Sequence, residues 1–78
     1  MHEVGVAKEI LKIALAQSGG RKVVAMKIEL GNDGHTTPES LRHAFSHVAA
    51  GTPAQGARLD IAQVQVLESR VVDIDVEG

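Results

Sequence analysis

Residues 21–41 read RKVVAMKIELGNDGHTTPESL, and the change of rhythm inside this stretch decides the fold. From Arg21 to Leu30 apolar side chains recur at every second position, with Val24, Met26, Ile28 and Leu30 on one side and Lys27 and Glu29 on the other. Period two predicts a strand with one buried face. Gly31 to Thr36 is turn chemistry. Thr37-Pro38-Glu39 then carries the marks of a helix start: a hydroxyl cap, proline in the first turn and an acid near the positive end of the helix dipole. Beyond it Leu41, Ala44, Phe45 and Val48 fall at three- and four-residue steps, so the strand hands over to an amphipathic helix.

Upstream, Val4, Ala7, Ile10, Leu11, Ala14 and Leu15 repeat the helical spacing, with Lys8, Glu9, Lys12 and Gln17 opposite, and Ser18-Gly19-Gly20 stops this first helix. Downstream, Gly51-Thr52-Pro53 closes the second helix and Leu59 and Ile61 open a second strand. Its alternation slips at Ala62 and resumes at Val64 and Val66, which predicts a bulge or burial on both faces. The link Leu67-Glu68-Ser69 leads to a third strand, Arg70 to Val76, in which Val72, Ile74 and Val76 alternate with Asp73, Asp75 and Glu77. The last two strands are expected to pair as an antiparallel hairpin. The order helix, strand, helix, strand, strand predicts a two-layer α+β domain over residues 1–78, with both helices on one face of a three-stranded mixed sheet. Lys27, Glu29, Asp73 and Asp75 are expected on the other face.

A chain of 78 residues, 44% apolar but with Phe45 as its one aromatic, must build its core from aliphatic side chains. It contains no cysteine, which excludes disulfide staples and thiolate-bound zinc or iron–sulfur clusters, so no zinc is expected. Eight basic residues against ten acidic ones, scattered and without aromatic platforms, argue against nucleic acid as a partner. The start Met-His-Glu-Val-Gly is not a signal peptide, and no apolar run approaches the roughly 20 residues of a membrane span. A soluble cytoplasmic protein is expected. The phosphate-binding motif G-x-x-x-x-G-K-[ST], the dinucleotide fingerprint and the nucleophile elbow are all missing. His35 beside Thr36 and Thr37 is the only hint of nucleophilic catalysis, and adjacency in sequence does not supply geometry. The expectation is a protein that is not an enzyme.

Four histidines carry the remaining chemistry: His2, His35, His43 and His47. His43 and His47 stand at i, i+4 on the second helix, a spacing compatible with a shared metal ion, on the flank of the apolar stripe. At the amino terminus, the α-amine of Met1, the backbone nitrogen of His2 and Nδ1 of the His2 ring can close a five- and a six-membered chelate ring around one ion. Glu3 or another histidine is left for the fourth position. Such a tetragonal nitrogen set suits Cu(II) or Ni(II) rather than Mg²⁺ or Ca²⁺.

Met1-His2-Glu3, the first-helix pattern, Ile28-Glu29-Leu30-Gly31, the run Pro38 to Phe45, Gly51-Thr52 and the run Gly56 to Ile61 occur in an order and spacing that resembles the hydrogenase nickel-incorporation proteins of the HypA/HybF type. The resemblance runs from Met1 to about Val64. It implies nickel bound by the Met1 amine, the amide nitrogen and ring of His2, and Glu3, with His35, His43 and His47 as sources of an extra ligand. It also implies delivery of Ni(II) to the large subunit of a nickel enzyme of the hydrogenase type, or in some organisms to urease, together with a GTPase maturation partner; a homo-oligomer is compatible with it. One departure is large. That family carries a zinc domain with two Cys-x-x-Cys pairs before its closing strand, and here Leu67-Glu68-Ser69 stands in that place. The alternative expectation is therefore an interaction module that docks on a maturation partner or enzyme, through Lys8, Glu9 and Lys12 on the first helix, and moves no metal.

Overall fold

The computed structural model describes residues 2–32 and 34–77, His2 through its backbone alone. The elements are α1 (His2–Ser18), β1 (Val23–Leu30), α2 (Pro38–Val48), β2 (Arg58–Gln63) and β3 (Arg70–Val76), the predicted order. Gly19 and Gly20 end α1 at φ of 62° and 89°, a conformation that costs glycine nothing. Thr37 caps α2 reciprocally: the Ser40 amide donates to Thr37 Oγ1 at 3.0 Å and the Thr37 amide donates to Ser40 Oγ at 2.9 Å. The hydroxyl of Ser40 does here what Glu or Gln does in the commoner capping box. α1 packs against α2 and over β3, and α2 extends over β2, so both helices cover one face of a three-stranded sheet. Ala7, Ile10, Met26, Ile28, Leu41 and Phe45 lie in the core between the layers. Among the described residues no helix is long and apolar enough to cross a membrane.

The expected hairpin between the last two strands is not formed. The sheet order is β2-β1-β3, with β2 parallel and β3 antiparallel to β1. β1 is the most apolar strand and takes the centre, where both of its edges are satisfied. The chain must therefore cross the end of β1 on its way from β2 to β3. Residues 64–69 make that crossing: the Val64 amide donates to the Leu30 carbonyl at 2.9 Å, the Asn32 amide to the Val66 carbonyl at 2.7 Å, and the Gly31 amide to Ser69 Oγ at 2.8 Å. The link near 67–69 is a crossover and not a hairpin turn.

Two buried-face assignments also shift. Val24 is 44% exposed, and Val23 is buried in its place. Val72 is 45% exposed, and Val71 packs against the core instead. The pairing explains both. Val23 faces Val76 and Ala25 faces Asp75, so Val24 is an unopposed bulge residue; Lys27 faces Asp73 and Ile28 faces Val71, so Val72 is another. A bulge inserts one residue and reverses the face of everything beyond it. Neither the bulge nor the two-faced burial expected in the second strand is found: β2 keeps continuous register with β1 from Arg58 to Gln63, is an edge strand with Ala62 exposed, and ends before Val64. Lys27, Asp73 and Asp75 are solvent-exposed on the open face as expected, and Glu29 is half-buried there with an ion pair to Arg70 at 2.7 Å.

Gly31 is buried beneath the crossover, and a Cβ there would press on the Leu67 carbonyl and lie 2.7 Å from the Glu68 carbonyl carbon. Both contacts are backbone and cannot swing aside. Gly31→Ala should therefore cost about 1–3 kcal/mol, as overpacking does, read as a lowered urea midpoint. Gly34→Ala, facing open space, provides the comparison for a purely conformational penalty, since its φ is +81°.

Candidate metal centre

Helix α1 begins at His2. The first four amides of a helix have no acceptor within it, and that of His2 belongs to this group. Its proton can be displaced without cost to a helical hydrogen bond. Glu3 follows in the same turn and is half-buried. Met1 and the His2 side chain lie outside the described residues, so the expected chelate is represented by its backbone and by Glu3.

On α2 the apolar stripe fixes the direction of the histidines. Leu41, Ala44 and Phe45 point into the core, and this turns His43 and His47 outward, where both are exposed. Their rings meet edge to face, with centroids 4.7 Å apart and an interplanar angle of 79°. Because α1 lies along α2, its first turn reaches this part of the helix. Glu3 and Val4 from α1 and Ser40, His43, Ala44, His47 and Val48 from α2 line one groove of about 330 Å³. A separation of some forty residues in sequence is thus closed in space, and Glu3 lines the same groove as His43 and His47.

His35 is exposed in the connection before α2 and does not line this groove. Among the described residues, no three His, Asp or Glu side chains converge closely enough to hold an ion. The docking residues expected on α1 divide. Glu9 lines a second groove of about 480 Å³ with Ile10, Ile13 and Leu67, whereas Lys8 and Lys12 are exposed away from it. Leu67, at 80% exposure, is the apolar lip of that groove. Nothing in the local pattern marked it, because its exposure follows from the crossover and not from strand alternation.

Residues 1–69 match the family described as hydrogenase/urease nickel incorporation, metallochaperone, hypA. The chain belongs to the HypA family. Its relatives include proteins named hydrogenase maturation factor HypA: that of Geobacter sulfurreducens is 34% identical over 64 residues, covering 82% of this chain and 58% of the relative. That of Methylocella silvestris is 41% identical over 66 residues, covering 78% and 57%. The HypA of Deinococcus radiodurans is 36% identical over 67 residues, covering 82% and 56%. The chain thus spans somewhat more than half the length of the curated HypA proteins it matches. The HypA match contains the whole groove and both of its walls, and it stops at Ser69, where the crossover ends.

The exposure of His43 and His47 has a measurable consequence. Replacing both by Ala should change unfolding free energy by no more than about 0.5 kcal/mol, as for surface positions away from special contacts, with an unchanged far-ultraviolet spectrum. Any effect of this variant on metal binding is then chemical and not a loss of fold.

Proposed function

We propose that this chain is a nickel-binding metallochaperone module that serves the maturation of a nickel enzyme of the nickel–iron hydrogenase type. The observation that carries the proposal is the HypA match over residues 1–69, which takes in Met1-His2-Glu3 at its start. The α-amine, the deprotonated amide of His2 and the His2 imidazole supply three nitrogen donors, and the Glu3 carboxylate supplies the fourth. This donor set holds Ni(II) in a tetragonal field. His43 and His47, across the groove from Glu3, offer imidazoles that can replace Glu3 as a fourth donor; His35 is the weaker source because it lies off that groove.

Nickel is cargo, and the protein performs no catalysis on it. Delivery requires that the ion be surrendered, and a site whose donors are also bases does this readily. Every donor nitrogen must give up a proton to bind, so affinity falls on acidification. The reference amine and imidazole values, about 7.7–8.0 and 6.5, set the loss of binding below about pH 6.5–7.5. The recipients of this class are the large subunit of the nickel enzyme, with a GTPase maturation partner, and the setting is the cytoplasm. A second proposal has its own observation: the groove formed by Ile10, Ile13 and the strongly exposed Leu67 is a surface on which an interaction module would dock without carrying metal.

Calorimetric Ni(II) titration of the chain beginning at Met1 separates the two. The amino-terminal chelate should appear as a micromolar-range binding event that weakens as pH is lowered. That event should be lost in His2→Ala and in a chain with residues added before Met1. Equal binding by all three would sink the chelate, and absence of that event combined with capture of a purified maturation partner would favour the docking module.

A further inference from the structure

When Glu3 fills the fourth position, the chelate described above takes all its donors from the first three residues, and both imidazoles on α2 stay available. We propose that His43 and His47 form a second metal site, a two-imidazole clip that takes a divalent ion of borderline softness, such as Zn(II) or Ni(II), independently of the amino-terminal donors. The site itself does not rest on the nickel proposal; its use as a staging position for cargo does.

The geometry is favourable. Two metal–nitrogen bonds of about 2.0–2.1 Å allow the ligating nitrogens to stand at most about 4.2 Å apart. The ring centroids are already 4.7 Å apart, and the nitrogens lie on the ring perimeters. Rotation about the side-chain bonds brings them within that limit. Both residues are exposed, so this rotation meets no core packing. α2 is held rigid beneath them by its reciprocal cap and by the buried Leu41, Ala44 and Phe45, which keeps the i, i+4 spacing fixed.

Carboxylates stand on two sides. Glu3 faces the pair across the groove, and Glu39 lies one turn before His43 on the same helix, with both residues lining one shallow depression. Either can add an oxygen donor, or can receive the ring N–H that a ligating histidine leaves free and so orient the imidazole. No third ligand is pre-assembled among the described residues, so the remaining positions of the ion are left to solvent or to a carboxylate that swings in. An open site of this kind exchanges its metal readily. Placed beside Glu3, it is a station from which an ion passes to or from the amino-terminal chelate.

The test uses the full chain carrying extra residues before Met1 together with His2→Ala, which removes the amino-terminal chelate. Titration with Zn(II) alone and with Ni(II) alone should show one ion bound. At least about tenfold of affinity should be lost in His43→Ala and equally in His47→Ala, with His35→Ala unchanged. Zn(II) should shift the imidazole resonances of His43 and His47 together. Absence of binding in the extended chain, or binding that survives both replacements, overturns the clip. Failure of the nickel chelate has a different signature: the unextended chain would then bind no more than the extended one, while the losses in His43→Ala and His47→Ala would persist and support the clip.

Discussion

The crossing of residues 64–69 over the end of β1 is the constraint from which the rest of this molecule follows. A strand paired on both edges satisfies all of its backbone groups without water, and β1 is the strand whose side chains tolerate that burial. Once β2 has docked in parallel on one edge, β3 has to reach the other edge past the end of β1. Gly31 leaves room for the Leu67 and Glu68 backbone to pass directly above it, and its amide is spent on Ser69 Oγ. β3 then lies beneath α1, and α2 extends over β2. The position of α1 beside α2 sets Glu3 against His43 and His47. The site is thus a remote consequence of a missing side chain at residue 31.

Much of this was legible locally. Helix periodicity, the Thr37-Pro38-Glu39 start and the glycine stop after Ser18 are short-range signals, and each marks a structural boundary. Strand pairing is not a short-range property. Simple alternation cannot distinguish a hairpin from two strands that flank a third, because in both cases the polar residues face water. It also cannot show a bulge when the inserted residue is itself apolar. Val24 follows Val23 and Val72 follows Val71, so in each pair either valine could have faced inward; the cross-strand register decides which one does. The candidate metal ligands divide along the same line. Their types and the i, i+4 spacing could be read directly, whereas the groove that unites residue 3 with residues 43 and 47 depends on how two helices lie on a sheet.

The open face of the sheet shows how register is held without a second layer. Lys27 on the central strand is opposed by Asp60 on β2 and Asp73 on β3, and Glu29 by Arg70. Exposed pairs of this kind contribute little to overall stability. Their value lies in discrimination, because a one-residue slip of β3 would bring like and unlike charges into the wrong rows and turn Ile74 outward. Asp73 and Asp75 have a second effect. They sit on an edge strand, where charge discourages the addition of another chain's strand. Self-association by strand addition at this edge is thereby disfavoured.

A helix amino terminus is an unusual place for a cation, since it carries roughly half a positive elementary charge. Charge balance resolves the difficulty at the proposed chelate. Displacing the amide proton of His2 creates one negative charge at the terminus, and Glu3 in the same turn supplies another, so the two together neutralise a divalent ion and leave the dipole unopposed only weakly. The amidate also requires a residue whose N–H is not committed to the helix, and only the first turn provides that. The two-imidazole clip on α2 follows the opposite logic. Its donors are neutral, one of them, His47, lies in the last turn of its helix where the dipole is negative, and its ion keeps a net charge that solvent must share. A divalent ion moving between them passes from a site where its charge is compensated by solvent and dipole to one where it is compensated by the ligands themselves.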